Sequence, residues 1–345
     1  MSLQNLPYEL IMLIADVLPD HKCLNFLSQS CKRFYQILEP RWEKYAVEDK
    51  DDWKALSWAI RRKDNHFVKY LIGRNSVDIN HQDSLGLSPL HWGVRNGDES
   101  SVVTTKLLLS VDADMTLLDN AGLTPLQWAV VHNPPIVKIL LEKEATVEKK
   151  AIDILDRSGQ TALHRAATRA DVDLVRQLIK AGANVNIACL LGRTPLMWAA
   201  SKKSLEVIKI LVEEEGADVH HITDDKRNVL HLASTEGTIE TVNYFVGKGV
   251  DITAADNQGR TPLHWAAAYG NGRTFRALLR HGADPKVKNL NGQLVNDWGT
   301  TFTTIGDALR DMGILVPKPP MKVTSGFMHF TRSVANRADG PDDEF

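Results

Sequence analysis

Apolar residues recur along the middle of the chain in short blocks that are separated by polar turns. In the block from Asp256 to Asp284, Thr261 suits the cap of a short helix and Pro262 suits its first position. A second helix follows, and Gly282 suits the left-handed position that ends it. The apolar positions with helical spacing in these two helices are Leu263, Ala266, Ala267, Phe275, Leu278 and Leu279. Each block therefore predicts a turn, a short helix, a turn and a longer helix.

The block repeats with a nearly constant period. Its short helix begins with a frame that is fullest at residues 261–267, where it reads Thr-Pro-Leu-His-Trp-Ala-Ala. Copies of the frame begin at residues 88, 124, 161, 194, 228 and 261, so successive starts differ by 36, 37, 33, 34 and 33 residues. A period near 33 is typical of a stacked array, in which neighbouring blocks bury the apolar faces that one block leaves open. The frame resembles the ankyrin repeat and is specific for that family.

The resemblance implies a mainly α-helical fold, a right-handed ankyrin solenoid that covers residues 49–315. Weaker copies near both ends of this stretch, at residues 55–72 and 291–312, bring the array to about eight helix-turn-helix repeats with degenerate caps. The two longer steps place insertions around residues 99–105 and 146–155. Residues 316–345 begin with a proline-rich run and end in acidic residues, which predicts a disordered C-terminal tail.

The period does not extend into residues 1–48, where a different apolar pattern predicts three short helices. A Leu-Pro start, an apolar face on the first helix and a closing Pro-Arg-Trp resemble an F-box from end to end. In that family the start and the first helix dock on the Skp subunit of SCF-type cullin-RING ubiquitin ligases. By matching position, the Skp-binding residues here are Leu6, Pro7, Leu10, Ile11 and Ile14. The alternative is a helical cap that shields the first repeat.

Tryptophan occupies one slot of the short helix in six blocks, and basic residues follow it in several. The slot holds Trp58, Trp92, Trp128, Arg165, Trp198, Leu232, Trp265 and Trp298. Two interpretations stay open, because the indoles can pack over the seams between repeats or form an exposed aromatic ladder. The basic residues are either a solvated helix edge or a stripe that binds a target. The predicted target-binding residues are Arg62, Trp92, Arg95, Trp128, Arg165, Arg169, Trp198, Lys202, Trp265 and Tyr269.

Basic and aromatic side chains together favour an acidic or phosphorylated target peptide. Single-stranded nucleic acid would suit the same surface, but the net charge of −2 argues against it. Four of the twelve histidines, His91, His164, His231 and His264, share one slot of the frame, for which the resemblance implies a structural hydrogen bond to the neighbouring turn. His220 and His221 lack further spaced ligands, so we expect no metal and no cofactor.

The remaining composition limits where the protein acts. Three cysteines, at no disulfide or metal spacing, predict reduced thiols in an intracellular protein, in the cytoplasm or the nucleus. The start of the chain has no secretory signal, and no run of about 18 apolar residues predicts a membrane span.

Together these features predict a non-catalytic adaptor of an SCF-type ubiquitin ligase. Its F-box would bind the Skp subunit, and through it a cullin, while its repeats hold a target protein. This arrangement of modules is one associated with fungal adaptor proteins. The first alternative is an ankyrin scaffold or inhibitor with no ubiquitin-ligase link. The second, an enzyme, lacks any converging acid, base or nucleophile set and any phosphate-binding or nucleophile motif.

Overall fold

A computed structural model describes residues 55–73, 77–95, 97–147, 150–295, 297, 303–311 and 313 of the chain. The predicted F-box, with Leu6, Pro7, Leu10, Ile11 and Ile14, and the predicted tail at 316–345 lie outside these residues. The described part is mainly helical, and its β-pairing is a single bridge between Lys288 and Leu294. It falls into two compact units that divide after Asp114.

The described part of the first unit contains two helix pairs. They are α1 (Ala55–Arg61), α2 (Asn65–Gly73), α3 (Pro89–Arg95) and α4 (Glu99–Ser110). Each short helix packs on the longer helix that follows it, α1 also packs on α3, and α2 packs on α4. Short helices thus contact short helices and long helices contact long ones, as the predicted repeat requires.

Among the described residues of the second unit there are five helix pairs and one further helix. They are α5 (Pro125–His132), α6 (Pro134–Glu144), α7 (Ala162–Arg169), α8 (Val172–Lys180), α9 (Pro195–Ser201), α10 (Leu205–Lys209), α11 (Val229–Glu236), α12 (Ile239–Gly247), α13 (Pro262–Ala268), α14 (Gly272–Arg280) and α15 (Thr303–Asp311). The short helices α5, α7, α9, α11 and α13 pack side by side in chain order. Among the longer helices, α14 packs on both α12 and α15.

Several short helices begin at capping residues that the sequence predicts, and these caps satisfy backbone N–H groups that a helix start leaves open. At α7, the Thr161 hydroxyl caps the helix start, and the Thr161 N–H donates to Nδ1 of His164 at 3.0 Å. The same reciprocal pairing joins Thr124 to Gln127 at the start of α5. At both of these starts a polar residue at the third helical position completes the cap.

The core consists of the apolar faces that each helix turns towards its neighbours. Leu196 and Leu263 on the short helices are buried, as are Phe245 and Phe275 on the longer ones. These are positions that the helical spacing of the sequence predicts to be internal.

The unequal repeat lengths have local structural causes. The step of 36 residues is absorbed by α4, which has 12 residues where α2 has 9. The additional residues of the step of 37 form the loop after α6. The buried carboxylate of Glu144 holds this loop in place, because it accepts the N–H of Ile152 at 3.0 Å.

The step of 34 residues was not expected to alter a helix, yet α10 continues into a π-helical turn at Ile210–Glu214. This step has one residue more than the steps of 33 on either side. A π turn takes up one extra residue inside a helix, so it keeps the next short helix in place.

Candidate functional site

The slot tryptophans are tied to the turn that precedes their helix. In three repeats the indole Nε1 donates to an aspartate Oδ2 that lies nine residues earlier in the chain, an arrangement that we call the indole–carboxylate clamp. The pairs are Trp92 with Asp83 at 2.9 Å, Trp128 with Asp119 at 2.7 Å and Trp265 with Asp256 at 3.0 Å. The other oxygen, Oδ1, accepts two backbone N–H groups of the turn in each case. Each clamp therefore joins a turn to a short helix.

Arg165, which replaces tryptophan in the slot, keeps the same partner position. Its guanidinium donates to Oδ2 of Asp156 at 2.6 Å, again across nine residues, and Asp156 is buried. Leu232 occupies the slot in a later repeat and has no polar hydrogen to donate. The residue nine positions before it is Thr223, whose hydroxyl accepts the N–H of Arg227 within the turn.

One repeat has a tryptophan in the slot but no indole–carboxylate clamp. Trp198 fills the slot, but the residue nine positions earlier is Cys189 instead of an aspartate. The Trp198 Nε1 is buried and has no hydrogen-bond partner among the described residues. This repeat therefore holds a buried donor at the place where the clamp elsewhere supplies a carboxylate.

Burial decides between the two interpretations of the tryptophan column. The exposed fractions of Trp92, Trp198 and Trp265 are 6%, 5% and 4%, and Trp128 is half-buried. The exposed ladder is therefore wrong for the first three. The side chain of Trp58 and the whole of Trp298 lie outside what the structure describes.

The rings are covered mainly by arginines. In the first unit, Arg61 and Arg95 lie over Trp92, with guanidinium carbons 4.6 and 5.1 Å from the ring centre. In the second unit, Arg193 lies over Trp198 at 5.2 Å, and both Arg227 and Arg260 lie over Trp265, at 4.4 and 4.8 Å. Contacts of this kind are attractive because the ring face is electronegative.

Arg193, Arg227 and Arg260 form a row that the sequence analysis missed. Each directly precedes the cap residue of a short helix, in three successive repeats. Burial lowers the pKa of Arg227, and the charges of Arg193 and Arg260 lower it further, while Asp225, 2.8 Å away, opposes the shift. The three cations are therefore close enough to influence one another. The signal that could have identified them is the arginine that recurs immediately before the frame.

Tyr269 lies beside this row. Its ring stacks on Trp265, with the ring centres 5.6 Å apart and the planes at 12°. Burial raises the pKa of the Tyr269 hydroxyl, and Arg227, Arg193 and Arg260 act in the opposite direction. The structure therefore brings together two of the predicted target-binding residues, Trp265 and Tyr269, with three arginines that were not predicted.

Of the other predicted basic residues, Arg95 and Arg169 end short helices, and Arg62 and Lys202 each directly follow one. Arg62 and Arg169 are exposed, Lys202 is half-buried, and Arg95 contacts its own tryptophan. Arg169 donates to the carbonyl oxygen of Val131 at 2.9 Å, which holds it against the preceding repeat. Whether these residues bind a target stays a prediction.

Two members of the shared histidine slot, His164 and His231, have the structural role that was expected. His164 and His231 accept a backbone N–H on Nδ1, and their Nε2 atoms donate to the carbonyl oxygens of Arg193 and Arg260 at 3.0 Å. Each ring thereby links its helix to the next turn. Burial lowers the pKa of both histidines to about 4, so both are neutral at physiological pH.

In the part of the chain that the structure describes, no three His, Cys, Asp or Glu side chains are grouped closely enough to hold a metal ion. Across the same residues, no helix has both the length and the apolar character to cross a membrane.

Comparison with known proteins agrees with the helix pairs. Three stretches, residues 56–151, 148–223 and 215–289, match the family described as ankyrin repeats (3 copies). The human Neurogenic locus notch homolog protein 1 is 36% identical over 137 residues, which are 39% of this chain and 5% of that protein. Neurogenic locus notch homolog protein 2 of Mus musculus is 28% identical over 223 residues, 62% of this chain and 9% of that protein. The chain thus spans a small part of these relatives.

Proposed function

Since the chain belongs to the ankyrin-repeat family, we propose that it is a non-catalytic adaptor that recruits a target protein to an SCF-type ubiquitin ligase. Ankyrin repeats imply binding to a protein partner. The proposal has two parts. In the target part, the repeats stack as a right-handed solenoid that holds the target. In the ligase part, residues 1–48 bind a Skp-type subunit. The chain would make and break no bond itself, and would raise the concentration of the target near the ligase.

The observation that carries the ligase part is an F-box-like block placed directly before the repeats. Leu6, Pro7, Leu10, Ile11 and Ile14 match the positions that dock on Skp in that family. Three short helices in about 40 residues bury little apolar surface alone, which suits a segment that is completed by a partner. A cytoplasmic or nuclear location belongs to the same proposal.

The target part is supported by the row of Arg193, Arg227 and Arg260, whose guanidinium groups lie over aromatic rings of the short helices in the second unit. Arginine and aromatic side chains are enriched at protein–protein interfaces and carry much of their binding energy. Within the same unit, the predicted basic residues Arg169 and Lys202 add further positive charge, and the predicted Arg95 adds it in the first unit. An acidic or phosphorylated target segment would complement this surface.

A binding experiment with the full chain tests the ligase part. The purified protein and a purified Skp-type protein from the same organism are mixed, and binding is measured by calorimetry. We expect wild-type binding and its loss in the double variant Leu10→Asp with Ile14→Asp, because buried unpaired carboxylates oppose an apolar interface. The matched control is Leu190→Asp, which adds a carboxylate at an exposed turn and should bind normally.

Two outcomes would contradict the ligase part. If the wild-type chain does not bind the Skp-type protein, the scaffold or inhibitor without a ligase link becomes the better account. Equal binding by the wild type and the double variant would show that the proposed docking residues are not used.

A further inference from the structure

We propose that the repeat of Trp198 receives a carboxylate from an aspartate or glutamate side chain of the target. This inference rests on the target-binding part of the proposed function and names the group that the repeats recognise. The target carboxylate would accept the indole N–H of Trp198, as Asp83, Asp119 and Asp256 accept the indole N–H in other repeats.

The repeat of Trp265 shows what a complete arrangement contains. Oδ2 of Asp256 accepts from the Trp265 indole at 3.0 Å and from the Arg260 guanidinium at 2.8 and 2.7 Å. Arg260 stands five residues before Trp265, and its guanidinium lies over the indole ring. One oxygen therefore serves two donors, a neutral N–H and a cation.

The repeat of Trp198 contains both donors in the same positions. Arg193 stands five residues before Trp198 and lies over its ring, as Arg260 does over Trp265. The acceptor position, four residues before the arginine, holds Cys189, whose sulfur is a weak acceptor. The indole N–H of Trp198 has no hydrogen-bond partner in the described part of the chain.

An unpaired N–H that is buried costs free energy, and a bound carboxylate would recover it. A hydrogen bond to a carboxylate is also shorter and stronger than one to a neutral group. We favour a carboxylate over a phosphate because every acceptor in the complete clamps is a carboxylate. Trp198 and Cys189 are both buried in the free chain, so the turn at residues 189–192 has to move aside as the carboxylate enters, while the Arg193 guanidinium stays over the ring as that of Arg260 does.

The same turn gives the incoming segment apolar contacts. Leu190 and Leu191, which lie between Cys189 and Arg193, are exposed at 72% and 48%. A segment that alternates acidic and aliphatic residues in an extended conformation would complement this turn. This pattern defines a suitable probe for a target that has not been identified.

The test observes the Trp198 indole proton by nuclear magnetic resonance on the full, isotope-labelled chain. Trp198→Phe assigns the signal by its disappearance. The probe is an acetylated, amidated octapeptide of alternating glutamate and leucine, and its glutamine–leucine counterpart is the uncharged control. We expect the glutamate peptide to shift the Trp198 signal downfield in a saturable manner, and the glutamine peptide to leave it in place.

Cys189→Asp provides a variant with an internal carboxylate. We expect it to move the Trp198 indole signal downfield without peptide and to weaken binding of the glutamate peptide at least tenfold. The matched control is Asn289→Asp, which adds the same charge at the equivalent position of another turn. Peptide binding by this control should equal that of the wild type.

Two results would overturn the inference. One is that the glutamate peptide does not move the Trp198 signal. The other is that Cys189→Asp binds the glutamate peptide as tightly as the wild type does. A Trp198 response to a phosphoserine–leucine peptide with none to the glutamate peptide would equally overturn the choice of a carboxylate. Skp binding, measured on the same preparations, separates the two proposals. Loss of Skp binding with an intact Trp198 response would reject the ligase part alone.

Discussion

The carboxylate of Asp119 accepts the indole hydrogen of Trp128 at 2.7 Å, while its second oxygen accepts two backbone N–H groups of its own turn. A single side chain thus joins the turn to the short helix that follows. The pattern recurs with Asp83 and Asp256, and Arg165 uses Asp156 in the same way. The slot tryptophans therefore have a structural function in addition to any role in binding.

Removing the indole N–H should lower stability by different amounts in two repeats. Trp128→Phe leaves Oδ2 of Asp119 without its donor and should lower the free energy of unfolding by about 1–3 kcal/mol more than Trp198→Phe, which removes a donor that has no acceptor. Both substitutions replace an indole by a phenyl ring, and the more buried Trp198 loses the greater packing, so a larger loss at Trp128 isolates the hydrogen bond. Urea unfolding followed by circular dichroism measures the difference, and equal losses would contradict the clamp.

Supplying the missing carboxylate should stabilise the protein. Cys189→Asp gives the Trp198 indole an acceptor and offers a second oxygen to two N–H groups of the turn, so we expect a gain of about 1–2 kcal/mol. The control is Cys189→Ala, which removes the thiol without adding an acceptor. Thermal melting compares the three proteins, and a melting temperature of the aspartate variant at or below that of the alanine variant would be inconsistent with this account.

The two buried histidines should make stability depend on pH below 6.5. Burial lowers the pKa of His164 and His231 from 6.5 to about 4, so between these values the unfolded chain binds protons that the folded chain does not. Stability is therefore fully present above pH 6.5 and falls as the pH drops towards 4, by about 1.4 kcal/mol per pH unit for each histidine.

Glutamine provides the matched replacement, because Gln127 already occupies this slot. It accepts the Thr124 N–H at 2.9 Å and donates to the carbonyl oxygens of Ile154 and Gln160 at 2.8 and 2.9 Å. The double variant His164→Gln with His231→Gln should show a flatter dependence of unfolding on pH between 6.5 and 4. An unchanged slope would mean that other groups cause the dependence.

Each internal repeat should contribute to the fold. Leu196→Ala and Leu263→Ala remove buried side chains from two short helices, and each should cost about 2–5 kcal/mol through the cavity that remains. Leu190→Ala, at an exposed turn position, should cost much less. Chemical denaturation measures all three, and a transition that broadens in the core variants would show that the repeats have uncoupled.

The sequence predicts the helix pairs well because local rules determine them. Thr-Pro marks the start of a short helix, and helical spacing of residues such as Phe275 marks the buried face of the longer one. The repeat period then determines which helices are neighbours. These features need no knowledge of distant contacts.

The polar part of the candidate site was harder to predict. Asp256 lies in a turn, outside the frame that aligns the repeats, and its role depends on a contact with Trp265 nine residues away. Arg227 was missed for a similar reason, because it contacts a tryptophan one repeat further along the chain. The π-helical turn at Ile210–Glu214 reflects one extra residue, which periodic spacing alone does not assign to a helix.

Affinity capture of the full chain from its native cell, with peptides identified by mass spectrometry, tests the central claim that two separate modules bind a ligase and a target. The account predicts that Leu10→Asp with Ile14→Asp loses Skp and cullin peptides but keeps the target. It predicts the reverse for Arg95→Glu with Arg169→Glu and Lys202→Glu. The account would be contradicted if Skp and cullin peptides were absent from the wild-type capture. It would also be contradicted if both variants lost the same partners.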